Sequence, residues 1–284
     1  MRFHYSKSNL KPNEGIWQRR LEMLPGFLSW TTLIGMFSLA IFFPIVAAIF
    51  TISFYLCWLL RLLYLTLFLI LSYTRLNAEK NTNWMKHIAE IDQLIENQQL
   101  LFPNQAKLNY AQQIHQRNLK ALAESKDFSS YSKDIYHLVI LPIVKESKEV
   151  IEPAIKAIKG QIFPTKQIIV IFALEERAAL DIKKDVFDTE QKYKSNFFDC
   201  FSIEHPSNIP GERRVKGANV TYAAKKASTY FQEKNIPFEN IIVSCFDADT
   251  VVDKDYFGCL TYHFMATPNR QRSSFQPIPV YHNN

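Results

Sequence analysis

Ile241-Ile242-Val243-Ser244-Cys245-Phe246-Asp247-Ala248-Asp249-Thr250 decides how the second half of this chain folds. A β-branched apolar run ends there in two carboxylates one residue apart. Residues i and i+2 of a strand project to the same side, so a strand running through this stretch brings Asp247 and Asp249 onto one small volume at its end. Two hard oxygen ligands suit a Mg2+ or Mn2+ whose shell is completed by a diphosphate. The same letters also fit a strand that closes in a polar turn, where Asp is common.

Upstream of this run, strand-like and helix-like segments alternate. His137-Leu138-Val139-Ile140-Leu141 reads as a buried strand closed by Pro142, and Ser147 opens a helix whose Ile151, Ile155 and Ile158 recur at helical spacing up to Gly160. Residues 167–173 read as a second strand, 175–194 as a charged helix, 197–203 as a third strand and 218–234 as a further helix, before a fourth strand over 241–246. Such alternation predicts right-handed crossovers and an α/β fold, a mostly parallel sheet with flanking helices. Sheets of that kind bind ligands beyond the carboxyl ends of their strands. Lys145 and Glu146 follow the first strand, Glu175 and Glu176 the second, and Asp247 and Asp249 the fourth.

The first half has a different texture. Across the 284 residues, 48% are hydrophobic and 21% charged, yet between Phe27 and Tyr73 the only charged side chain is Arg61. About 20 apolar residues cross a bilayer, so residues 27–73 predict a transmembrane hairpin of two helices, with Pro44 as the break between them. A buried helical hairpin of a soluble protein is the competing reading. Arg19 and Arg20 precede the block, and Arg75, Lys80 and Lys86 follow it, which puts both flanks in the cytoplasm and the number of spans at an even value. Arg61 near the middle of a second span carries a cost of roughly 2.5–3.5 kcal/mol unless it finds a partner or snorkels. The chain therefore divides into a cytoplasmic tail (1–26), the hairpin (27–73), a helical linker (76–130) and an α/β domain (131–284). In the linker, Ile88, Ile91, Leu94 and Ile95 form one apolar stripe and Ile114, Leu119 and Leu122 another beyond a break at Pro103.

Four cysteines show no metal-like spacing, and Cys200 and Cys245 read as buried thiols in a reduced compartment. The net charge of +6 comes without a basic stripe interleaved with aromatics, so no nucleic-acid partner is expected. Only seven glycines occur, and neither GxGxxG nor a phosphate loop is among the motifs.

The residues resemble the membrane-attached family 2 glycosyltransferases of the GT-A fold, relatives of cellulose and hyaluronan synthases, over about residues 137–280. Pro142-Ile143-Val144-Lys145-Glu146 is similar to the family's P-x-x-N-E motif at the nucleobase, with Lys145 in place of Asn. Lys216-Gly217-Ala218-Asn219 is similar to the segment that opens the next helix and touches the diphosphate. Asp247-Ala248-Asp249 resembles the DxD motif that binds Mg2+ or Mn2+ and the donor's diphosphate. Phe172-Ala173 stand where an acidic pair is common, and Glu175 or Glu176 substitutes. The resemblance implies a Rossmann-like GT-A sheet, a nucleotide-sugar donor with UDP the expected nucleotide, a lipid or glycan acceptor, and inverting hexosyl transfer at the cytoplasmic side of a membrane. Phe275-Gln276-Pro277 resembles the strand after the DxD, but no residue after Asp249 resembles the family's general base or its Gln-x-x-Arg-Trp. The expectation is a donor half that cannot transfer sugar alone, since inversion needs a base for the acceptor's proton. Two alternatives stay open. One is a non-catalytic nucleotide-sugar-binding remnant or subunit. The other is a haloacid-dehalogenase-type phosphatase, whose D-x-D-x-[TV] strand the run from Asp247 to Val251 matches, with Asp247 as nucleophile and Asp249 as acid/base.

Overall fold

The computed structural model describes residues 12–97 and 108–277, apart from residues 208, 210, 211, 213 and 214. The break expected at Pro103, the first part of the tail and the last seven residues lie outside the described residues. Two compact units meet in the sequence at Asn81–Thr82.

The first unit contains helices α1 (Pro12–Phe42) and α2 (Pro44–Lys80), joined through the single residue Phe43 with Pro44 at the start of α2. Proline suits that position because the N–H it lacks has no intrahelical partner there. Residues 15–42 and 44–80 are each long and apolar enough to cross a membrane, and no residue of the qualifying windows is buried. Within the described residues, neither window is packed into a core. Arg61 lies over the Trp58 ring, 5.5 Å from its centroid, a cation–π contact one turn away on the same helix.

The second unit begins with α3 (Trp84–Asn97) and α4 (Tyr110–Ser125), which group with the sheet in one compact unit. Asn109 and Gln112 close a reciprocal capping box at the start of α4. The expected stripes are borne out in part: Ile88, Ile91, Leu94 and Leu122 are buried and join Leu260, Tyr262, Phe264 and Met265 in one cluster, Ile95 and Leu119 pack against it half-buried, and Ile114 is half-buried outside it. Four strands follow, β1 (Tyr136–Ile143), β2 (Ile168–Glu175), β3 (Asp199–His205) and β4 (Ile241–Cys245), alternating with α5 (Lys148–Lys159), α6 (Leu180–Tyr193) and α7 (Lys216–Glu233), and α8 (Tyr256–Ala266) closes the set. The sheet is parallel throughout, in the order β3-β2-β1-β4. Val139, Leu141 and Ile143 of β1 pack with α5 and α6 on one face, and Leu138 and Ile140 pack with Ala223, Ala227 and Phe231 of α7 on the other. With both faces covered, β1 and β2 read as continuous apolar runs. The chain winds outward through β2 and β3, then crosses back to β4 beside β1, which makes the β1/β4 boundary the point where strand order reverses.

Several expected boundaries shift for identifiable reasons. Pro142 does not close β1, which continues to Ile143. Ile140 O accepts from Phe246 N, so the even-numbered residues of β1 direct their backbone groups toward β4. Pairing with β4 stops at Ile140↔Cys245, and the N–H that Pro142 lacks falls beyond it. The helix expected from residue 175 begins at Leu180, because Glu175 still belongs to β2. The fourth strand ends at Cys245, not Phe246, and it is an edge strand that alternates between buried and exposed residues. Cys245 is accordingly exposed, against the expectation of a buried thiol, whereas Cys200 is buried. Ser273–Pro277 forms no strand; Phe275 packs on the α3/α8 cluster instead.

Candidate functional site

The carboxyl ends of β1 and β4 and the start of α7 define the site. β4 gives way at Phe246 to a turn closed by Thr250 N donating to Asp247 O (2.9 Å). Asp247 and Asp249 thus sit in a turn beyond the strand and not within it. The in-out alternation nevertheless persists: Phe246 (7% exposed) and Ala248 (5% exposed) are buried, and both aspartates face solvent. Phe246 holds the turn down through edge-on contact with Tyr256, 5.4 Å between ring centroids.

α7 reaches this turn from the other side of the strand-order reversal. Its first residue, Lys216, pairs through Nζ with Asp247 Oδ1, and both side chains are more than half exposed. One turn on, Asn219 is fully buried; its Nδ2 donates to Ala173 O of β2 (2.7 Å), and its Oδ1 has no partner. Asn219 therefore pins the helix start to the sheet with its amide nitrogen, leaving only the oxygen uncommitted. Among the described residues no side chain caps α7, and a Cβ built on Gly217 would meet nothing within 4 Å. An uncapped helix start with open backbone is a ready anion site.

The residues after β1 and β2 are placed differently. Pro142 is buried within β1, and Lys145 is exposed beyond it. Glu146 curls back to accept from Val144 N (2.7 Å) and Lys145 N (3.0 Å). Burial works to raise its pKa, but these backbone donors prevail and hold it below the usual carboxylate range. Glu175, at the end of β2, is nearly buried and accepts from Arg177 Nε. Glu176 accepts from Ser207, whose hydroxyl and then backbone N–H lower its pKa and tie it to the chain after β3. β1 stands between β2 and β4, so roughly 10 Å separates those two strands. The structure brings Lys216 to Asp247, whereas Glu175 and Glu176 pair with Arg177 and Ser207. Cys245, missed as a neighbour of this site, has a thiol pKa raised by burial and opposed by the Lys216 ammonium. Its exposure follows from β4 being an edge strand, which a short apolar run does not announce.

The donor set can be weighed against a cation. Among the described residues, no group of three or more His, Cys, Asp or Glu is disposed to hold a metal. A two-carboxylate turn is no all-protein cage, but Mg2+ ordinarily takes one or two carboxylates plus substrate phosphates. Asp247 and Asp249 offer two carboxylates of that chemical type, and a side-chain cation already pairs with one of them.

Comparison with protein-family models, with curated proteins and with solved structures finds no match.

Proposed function

We propose that this chain is a membrane-anchored, glycosyltransferase-like protein of GT-A type that binds a nucleotide-diphospho-sugar at the β1/β4 boundary. The observation that carries this reading is the meeting of Lys216, at the uncapped start of α7, with Asp247 in the turn after β4. Lys216 and the α7 backbone supply positive potential for the diphosphate, and Asp247 and Asp249 hold a Mg2+ or Mn2+ against it. A cation so held neutralises charge developing on a leaving diphosphate. Pro142, in the last residues of β1, and Lys145 and Glu146, beyond it, border the nucleobase. Glu175 shapes the far side of the pocket through its pairing with Arg177. The two apolar helices anchor the protein as a multi-pass hairpin with the α/β unit in the cytoplasm, and inverting transfer to a lipid or glycan acceptor is completed by a general base from outside the described residues.

The test is equilibrium binding of UDP and UDP-sugars to the full chain in detergent micelles, with and without Mn2+. Wild type is expected to bind with Mn2+ only. Asp247→Asn and Asp249→Asn are each expected to weaken binding by about 10- to 100-fold, the range associated with perturbed metal sites. A folded wild-type protein that ignores UDP-sugars at every Mn2+ concentration sinks the proposal. Mg2+-dependent phosphomonoester hydrolysis lost in Asp247→Asn decides for the phosphatase instead.

A further inference from the structure

Lys216 pairs with the very carboxylate that the donor-site reading assigns to a divalent cation. A lysine ammonium is a compact, strongly hydrated point charge on a flexible stem. Its occupation of Asp247 Oδ1 and a metal's occupation of the same oxygen exclude each other, both sterically and by like-charge repulsion.

Building on that reading, we propose that Lys216 is a built-in competitor for the cation position at Asp247, so that metal and diphosphate enter together. Three observations support the device. Asn219 fixes the first turn of α7 to Ala173 of β2, so releasing Asp247 needs only a swing of the Lys216 side chain and no movement of the helix. Lys216 and Asp247 are both more than half exposed, which keeps the pair weak enough to exchange. Among the described residues no side chain caps the start of α7 or fills the space at Gly217, which leaves an anion-binding position next to the displaced ammonium. Metal alone must expel Lys216 into solvent. Metal arriving with a diphosphate gives the ammonium a new anionic partner. The two ligands are therefore positively coupled through one side chain, and by linkage each strengthens the other equally.

The experiment titrates Mn2+ into the full chain in detergent micelles, reading free Mn2+ by electron paramagnetic resonance, with and without saturating UDP. It compares wild type with Lys216→Met and Lys216→Arg, each first shown folded by circular dichroism. Wild type is expected to bind Mn2+ weakly alone and about tenfold or more tightly with UDP, a typical coupling. Lys216→Met is expected to bind Mn2+ alone roughly two- to fivefold more tightly, the scale of a lost exposed ion pair, and to gain less from UDP. Lys216→Arg keeps the wild-type pattern. Unchanged or weaker Mn2+ binding by Lys216→Met in the absence of UDP overturns the competition. Metal-independent UDP binding that disappears in Lys216→Met also overturns it, because Lys216 is then the site's permanent cation. If folded wild type and both variants bind neither Mn2+ nor UDP, the donor-site reading falls and this inference falls with it.

Discussion

Lowering the pH from 7 toward 4 is expected to destabilise the second unit by several kcal/mol, with His137 the largest single contributor. His137 lies in β1, fully buried between Phe163 (5.0 Å between centroids) and Phe257 (4.9 Å). Its Nε2 shares a hydrogen bond with Thr261 Oγ1 (2.8 Å), and its Nδ1 has no partner. Burial lowers its pKa to about 3. The folded chain thus refuses a proton that the unfolded chain accepts near pH 6.5. The stabilisation is complete above that value and drains away as pH falls toward about 3. At 1.36 kcal/mol per unit, the complete loss is on the order of 5 kcal/mol, most of it reached by pH 4. Urea unfolding at a series of pH values measures it. In His137→Phe, which keeps a ring between Phe163 and Phe257 but cannot titrate, the slope between pH 6.5 and 4 should flatten whatever the variant's absolute stability. An unchanged slope rejects the assignment to His137.

A second pair adds to the acid response. His115 Nε2 donates to Glu90 Oε2 (2.6 Å), which leaves Nδ1 to accept from the Tyr262 hydroxyl (3.0 Å), whose oxygen also accepts from Asn118 Nδ2 (3.1 Å). His87 stacks flat on that ring, centroids 3.9 Å apart and planes 1° from parallel, with its own Nδ1 buried and unpartnered. Burial, and then His115, lower the His87 pKa to about 4; burial also lowers that of His115, against the pull of Glu90. Protonating either ring puts a cation on the stack or removes the acceptor that Tyr262 uses. Acid should therefore loosen α3, α4 and α8 before it unpairs β1 from β2.

What was legible in the sequence follows from how local each signal is. β1 and β2 could be read because strands covered on both faces are apolar throughout. The stripes on α3 and α4 could be read because helical spacing alone marks the buried side. The resemblance sets both Lys216 and Asp247 at the donor's diphosphate, which implies that they lie together, and the pair forms. The edge position of β4 could not be read from its five residues, since it depends on the order in which distant strands assemble. The stack of His87 on His115 was equally hidden: the two are scattered along the chain, and the packing of α3 on α4 brings them together. Asn219 looked like a ligand-contacting residue, but its amide nitrogen is committed to the β2 backbone.

The edge position of β4 yields the other large effect. Phe246→Ala is expected to cost about 3–4 kcal/mol, the usual range for truncating a buried aromatic residue. Phe246 fills the cluster formed by β1, α5 and Phe257, and is the last buried side chain before the aspartate turn. Val243, three residues earlier in the same apolar run, is 58% exposed on the open side of β4, and Val243→Ala should change stability by no more than about 0.5 kcal/mol. Hydrogen exchange of the β1 and β4 amides in micelles reads both variants on one scale. The difference carries into the site, because Phe246 is covalently next to Asp247 and fixes where the turn begins. Phe246→Ala should weaken Mn2+-dependent UDP binding even in protein that remains folded, Phe246→Leu should recover part of it, and Val243→Ala should leave it intact. Comparable destabilisation by Val243→Ala and Phe246→Ala would mean that the exposed face of β4 is covered in the working protein.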